Sequence, residues 1–121
     1  MRSGHKYGAV ATVVDNVRFA SKAEAHRYQE LRVLERLGEV TELELQPKFP
    51  LYVSLMGSKT VAPCLGEYRA DFRYRFGPQG LLKVEDVKGY EVPLQRWKRR
   101  HAEIQYGISV EVIRMRRVRG R

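Results

Sequence analysis

Three consecutive segments decide the fold: Glu67–Phe76 (EYRADFRYRF), Gly77–Gly80 (GPQG) and Leu81–Lys88 (LLKVEDVK). In the first, Tyr68, Ala70, Phe72, Tyr74 and Phe76 alternate with Glu67, Arg69, Asp71, Arg73 and Arg75. A period of two predicts a strand with one apolar and one charged face. The Gly-Pro-Gln-Gly segment predicts a turn, and Leu81–Lys88 returns as the partner strand. With Phe76 opposite Leu81, counting back places Phe72 against Glu85 and Asp71 against Asp86. Period two then sets Lys88 on the Asp86 face, next to Arg69, and turns Glu85 away as a surface or supporting residue. Two opposed carboxylates repel each other unless a cation lies between them or one takes up a proton.

Upstream, Ala9–Val14 and Val17–Ala20 flank Asp15-Asn16 and predict an N-terminal hairpin or extended pair within residues 1–20. Ser21-Lys22-Ala23-Glu24 fits a capping box. Ala25, Tyr28, Leu31, Leu34 and Leu37 follow at helical spacing until Gly38. Val40, Leu43 and Leu45, then Phe49, Leu51 and Val53, predict two strands broken by Pro47 and Pro50. A loop at Met56-Gly57-Ser58 follows. Downstream, Pro93 opens a second helix with Leu94, Trp97, His101 and Ile104 on one stripe, which makes core packing the reading of Trp97. Gly107 closes that helix, and Ile108, Val110 and Val112 predict a last strand. The expected fold is one α/β domain over residues 1–121, a central mixed sheet flanked by helices.

The chain has 121 residues, 43% of them hydrophobic, so it is sized for a single core. Its formal net charge is +9, from 23 Lys and Arg against 14 Asp and Glu, which points to a polyanionic partner, nucleic acid before membrane. Residues 93–121 carry +7 of that charge, in Arg96, Lys98, Arg99, Arg100, Arg114, Arg116, Arg117, Arg119 and Arg121 against Glu103 and Glu111. The basic helix and the tail 114–121 are therefore the candidate DNA-binding residues, through phosphate contacts that read no base sequence. One cysteine, Cys64, excludes a disulfide framework and a cysteine-rich zinc site. No apolar run reaches the ~20 residues of a membrane span, and Met1–Asn16 does not read as a signal peptide. A cytoplasmic protein is expected.

Against that basic background the acids stand out. Mg²⁺ takes hard oxygen ligands, commonly one or two carboxylates with water and phosphate supplying the rest, so Asp71 and Asp86 are a sufficient protein share. Lys88 beside them could offset charge developing on a phosphate or help position an attacking water. The plain alternative is an ordinary salt bridge from Asp86 to Lys88 or Arg69. Glu24 shares the core-facing stripe with Tyr28 and Leu31. Its carboxylate either closes the capping box on Ser21 or completes the acidic cluster.

Asp71 followed by Asp86-Val87-Lys88 on the partner strand, behind a helix carrying Glu24, resembles the PD-(D/E)xK nuclease superfamily. Further matches are Ser21–Ala25 with Tyr28, Leu45-Gln46-Pro47, Ala70-Asp71-Phe72, Val84–Gly89 and Gln105-Tyr106-Gly107. These resemble small phage-encoded endonucleases of that superfamily, similar to archaeal-type Holliday-junction resolvases. The resemblance implies a restriction-endonuclease-like α-β-β-β-α-β core. It makes Asp71, Asp86 and Glu24 metal ligands, Lys88 the catalytic lysine, Gln105 a supporting residue, and Mg²⁺ the cofactor with Mn²⁺ as a substitute. Ala70 stands where the superfamily commonly has proline. The implied activity is structure-specific cleavage of branched or duplex DNA by a homodimer. A nicking, flap or transposase-like endonuclease is the alternative within that chemistry, and a non-catalytic nucleic-acid-binding protein the alternative outside it.

Overall fold

A computed structural model describes residues 10–53 and 64–114. The expected loop at Met56-Gly57-Ser58 and the tail arginines Arg116, Arg117, Arg119 and Arg121 lie outside the described residues.

Strands β1 (Thr12–Val14) and β2 (Val17–Phe19) form the N-terminal hairpin. Asp15 and Asn16 both take positive φ, 53° and 64°, the conformation a two-residue hairpin turn demands and that these two residue types tolerate best. Helix α1 (Lys22–Arg36) starts where Ser21 Oγ accepts the Glu24 N–H at 3.1 Å, and it buries Glu24, Ala25, Tyr28 and Leu31. Strands β3 (Val40–Leu45), β4 (Lys48–Tyr52), β5 (Cys64–Arg69), β6 (Phe72–Phe76) and β7 (Leu81–Lys88) follow. Helix α2 (Pro93–Tyr106) and strand β8 (Val110–Arg114) complete the fold.

The central sheet has the order β3-β6-β7-β8, antiparallel through β7 and parallel between β7 and β8. Together with the helices this is an α-β-β-β-α-β core, as expected, with the β4-β5 hairpin inserted between its first two strands. The β6-β7 register is the predicted one: Phe76 faces Leu81 and Phe72 faces Glu85. One apolar cluster joins Phe19, Ala25, Tyr28, Leu31, Val40, Phe72 and Tyr74 beneath α1. A second joins Phe49, Leu51, Tyr68, Ala70, Val84, Val110 and Ala102 of α2. The helices thus cover opposite faces of the sheet. No described helix is long and apolar enough to cross a membrane.

Three expectations change. Pro50 does not break β4. It lies within that strand, which pairs on one side with β5, where a residue without an N–H is tolerated. The alternating segment Glu67–Phe76 is two strands rather than one. The chain bends at Ala70-Asp71, leaving Tyr68 and Ala70 in the second cluster and Phe72 and Tyr74 in the first. Arg69 consequently faces Lys48 of β4 instead of Lys88. Finally, the stripe Leu94, Trp97, Ile104 is not core. These side chains are 61%, 75% and 72% exposed, because α2 packs through Ala102 on the opposite side.

Candidate metal centre

The bend that interrupts the alternating segment presents Asp71. Two hydrogen bonds tie it to the link between β3 and β4: Gln46 N–H donates to the Asp71 carbonyl at 2.8 Å, and Ala70 N–H to the Pro47 carbonyl at 3.1 Å. Pro47 is itself fully buried, so Leu45-Gln46-Pro47 is a brace for the loop that carries the acid. On the other side Asp71 N–H donates at 2.9 Å to the carbonyl of Glu85, the residue paired with Phe72, so the β6-β7 ladder ends at Phe72 and the expected Asp71–Asp86 pair is not part of it. The Asp71 carboxyl is then fixed by the Val87 N–H, which donates to Oδ2 at 2.6 Å.

Asp86 is 2% exposed on β7. Its Oδ2 accepts the Tyr68 hydroxyl at 2.5 Å and lies 3.4 Å from Lys88 Nζ. Burial, and then the bond to Asp86, push the Tyr68 phenol well above its ordinary value, so the hydroxyl remains a donor. Lys88 is less enclosed than Asp86 and stands at the outer side of the cluster. The parallel register sets Arg114, at the end of β8, next to Lys88.

Glu24 lies at the start of α1, where both sequence readings place it. The Ser21 half of the capping box forms, and the Glu24 carboxyl is buried in the electrostatic surroundings of Asp71, Asp86 and Lys88. Burial, followed by the Asp86 charge, raises its pKa. Burial acts in the same way on Asp71, and the Glu24 and Asp86 charges add to it, pushing Asp71 up to about 8. Three carboxyls from α1, the bend and β7 therefore share a space in which full ionisation is unfavourable without positive charge.

The residues near this cluster have different work. Glu85 is not a surface residue. At 1% exposure it faces α1, where Arg27 donates to both of its oxygens at 2.8 and 2.7 Å and the Tyr74 hydroxyl also donates to it. That fork presses the first turns of α1 onto β7 and so brings Glu24 to the bend. Gln105 is spent on β4: its Oε1 accepts the Tyr52 N–H and its Nε2 donates to the Pro50 carbonyl, each at 2.9 Å. Arg99 holds buried Glu91 through two bonds of 3.0 Å, which withdraws it from the candidate phosphate contacts. Arg96, Arg100 and Arg114 are exposed and Lys98 half-buried.

Tyr68, Arg27 and Glu91 escaped the sequence reading. The available signal for Tyr68 was a tyrosine where an apolar face needed only phenylalanine, since a buried hydroxyl requires a partner. Arg27 lies one turn after Glu24, beside the buried stripe, but nothing local identifies Glu85 as its partner across 58 residues.

The donor set suits a hard divalent cation in kind: carboxylate oxygens, with a lysine beside them. Among the described residues no group of three His, Cys, Asp or Glu side chains is arranged so that it could hold a metal ion. That is compatible with Mg²⁺, which usually takes one or two carboxylates and keeps several waters. A site of that kind would draw on Asp71 and Asp86, with Glu24 adjoining.

Fold and site define a mixed α/β domain with three neighbouring carboxyls, buried Glu24 and Asp86 and half-buried Asp71, and a flanking lysine at the end of its central hairpin. The chain belongs to the family described as "Protein of unknown function (DUF1064)", which matches residues 4–118. No match was found among curated proteins or among solved structures.

Proposed function

We propose that this chain is a metal-dependent DNA endonuclease of the PD-(D/E)xK kind. The observation that carries the reading is the convergence of Glu24, Asp71 and Asp86 with Lys88, from three separate elements, at one end of β7. A structural salt bridge would need one acid for Lys88. Partial burial and then the Glu24 and Asp86 charges raise Asp71 to about 8, a cost that a bound divalent cation would offset. The α-β-β-β-α-β order and the bend that presents Asp71 support the same reading.

A bound Mg²⁺ would supply Lewis-acid polarisation of a phosphate oxygen and acidify a water for attack. The protein's own share is positional. Val87 N–H and Tyr68 hydroxyl orient Asp71 and Asp86, and the Arg27–Glu85 fork holds α1 so that Glu24 reaches them. Lys88 places a compact positive charge beside Asp86, where charge on the scissile phosphate would develop. Arg96, Lys98, Arg100 and Arg114 supply phosphate contacts without base readout.

Branched DNA is the preferred substrate within this reading, and a homodimer the working unit. One domain of 121 residues carries one such site, and paired cuts on a four-way junction need two, most simply related by a two-fold axis. The test is incubation with a labelled four-way junction, a flap and a matched duplex, each with Mg²⁺ or EDTA. Mg²⁺-dependent symmetric cuts on the junction are expected. Nicking of flap or duplex alone would move the assignment to the other endonucleases of this chemistry. Binding without cleavage of any of the three would overturn the catalytic reading.

A further inference from the structure

The face of α2 turned away from the core is apolar where a solvated helix should be polar. Leu94, Trp97 and Ile104 stand 61%, 75% and 72% exposed along it. Trp97, Arg100, His101, Ile104, Gln105 and Tyr52 line an open cavity of about 420 Å³. Its wall is held in place: His101 Nε2 lies 2.9 Å from the Tyr52 carbonyl, and Gln105 grips the Tyr52 N–H at 2.9 Å. Arg96 and Arg100 border a smaller hollow around Trp97 and Ile104 on the same face. Their carboxylate partners, Glu91 at 3.8 Å and Glu103 at 2.8 Å, form pairs with the arginines 61% and 60% exposed. The acids themselves are enclosed, Glu91 held by Arg99 and Glu103 by the Val110 N–H, so each exposed guanidinium still turns N–H donors toward solvent, free for a phosphate.

We infer that this face is a stacking platform for an unpaired stretch of the DNA substrate, with Trp97 taking a base and Arg96 and Arg100 the adjacent phosphates. Charge decides the occupant. A second copy packed α2 against α2 would bring Arg96 and Arg100 of both chains together, whereas a polyanion complements them. An exposed indole between guanidinium groups is the combination that binds single strands without regard to sequence: an aromatic face for the base, cations for the backbone. Duplex DNA offers no free base face to Trp97, so the platform distinguishes branched or frayed substrates from plain duplex. Arg96 on this face reaches Glu91, three residues after Lys88 in the chain. The inference rests on the nuclease reading for the identity of its ligand, but its test does not require cleavage.

Trp97 is the chain's one tryptophan, so its emission reports this face alone. The full chain in EDTA is titrated with a 12-nucleotide oligothymidylate and with a blunt duplex of the same length, followed by tryptophan emission and by anisotropy of labelled DNA. Quenching by the single strand is expected, with much less by the duplex. Trp97→Ala should weaken single-strand binding by about 5- to 150-fold and leave duplex binding within about twofold. Trp97→Phe, which keeps an aromatic face, should retain most of the affinity. Unchanged emission, unchanged single-strand affinity in Trp97→Ala, or an equal loss for duplex would overturn the inference. Conversion of a dimer to a monomer by Trp97→Ala with full single-strand affinity would assign the face to a second copy instead. Cleavage of the junction with Mg²⁺ is scored separately, so quenching without cleavage would refute the nuclease reading and leave the platform standing.

Discussion

Removing divalent cations should make this protein less stable as pH rises from about 5 to 8, a range in which many proteins are near their optimum. The sign follows from Asp71. In the unfolded chain its carboxyl titrates near 3.8, and in the fold it is pushed up to about 8 by burial and by the Glu24 and Asp86 charges. Between those values the folded state holds a proton that the unfolded state has released, so stability falls with rising pH. The contribution is fully present below about pH 4 and lost as pH passes 8. At about 1.4 kcal/mol per pKa unit, the complete loss is on the order of 5 kcal/mol. In a domain of this size that corresponds to a drop in melting temperature on the order of 15 °C. Glu24, also raised, acts in the same direction. Glu91, lowered chiefly by its bonds to Arg99, loses its contribution only as pH falls below the ordinary carboxylate range, outside this window. Thermal melts in EDTA from pH 5 to 8 measure the effect. Mg²⁺ should reverse it at pH 8, by about 2.7 kcal/mol at a hundredfold excess over its dissociation constant, and do little at pH 5. In Asp71→Asn the carboxamide oxygen can still accept from Val87 N–H, so the fold survives while both the pH slope and the Mg²⁺ response flatten. A wild-type stability that is level or rising over this range in EDTA would refute the reasoning, as would an undiminished Mg²⁺ response in Asp71→Asn.

Asp86→Asn should reduce junction cleavage to background while binding in EDTA stays intact or tightens, because a negative charge facing the DNA is removed; persistent cleavage would discard Asp86 as a ligand. Lys88→Ala should slow single-turnover cleavage by about 10²–10³-fold with little change in affinity, and an affinity loss without a rate loss would make it only a phosphate contact. Arg27→Met leaves the buried Glu85 charge without its cation, with only the Tyr74 hydroxyl donating to it, and should cost about 3–5 kcal/mol, read in urea as a lower midpoint at constant m-value; replacing Glu85 by leucine in the same chain should recover much of it. Truncation after Arg114 removes four arginines, and the slope of log affinity against log salt should flatten by about 0.9 for each phosphate that the tail no longer neutralises.

The parts of the fold that could be read in advance are those set by local chemistry. Asp15-Asn16 requires a tight turn, Ser21 caps a helix, and Gly77–Gly80 fixes the register that sets Phe72 opposite Glu85. What could not be read depends on partners distant in sequence. The alternation of Tyr68, Ala70, Phe72 and Tyr74 is unbroken, so nothing in it announces that the strand bends at Ala70-Asp71. The bend exists because Gln46 and Pro47, more than twenty residues upstream, take up the backbone groups there. The α2 stripe misled for a related reason. Spacing identifies an apolar face but not its neighbour, and the helix turns small Ala102 to the sheet while Leu94, Trp97 and Ile104 face outward. Both departures bear on the candidate site. The bend gives Asp71 a carboxyl that adjoins two elements at once, which an uninterrupted strand would have aimed along one sheet face. The outward stripe puts an indole on the same basic helix whose Arg99 and Arg96 reach Glu91, three residues after Lys88 in the chain. A chain selected only for stability would have little reason to gather three acids at one bend, two of them buried, and expose its single tryptophan on the helix that follows. A chain that holds a cation and an unpaired strand has a reason for each.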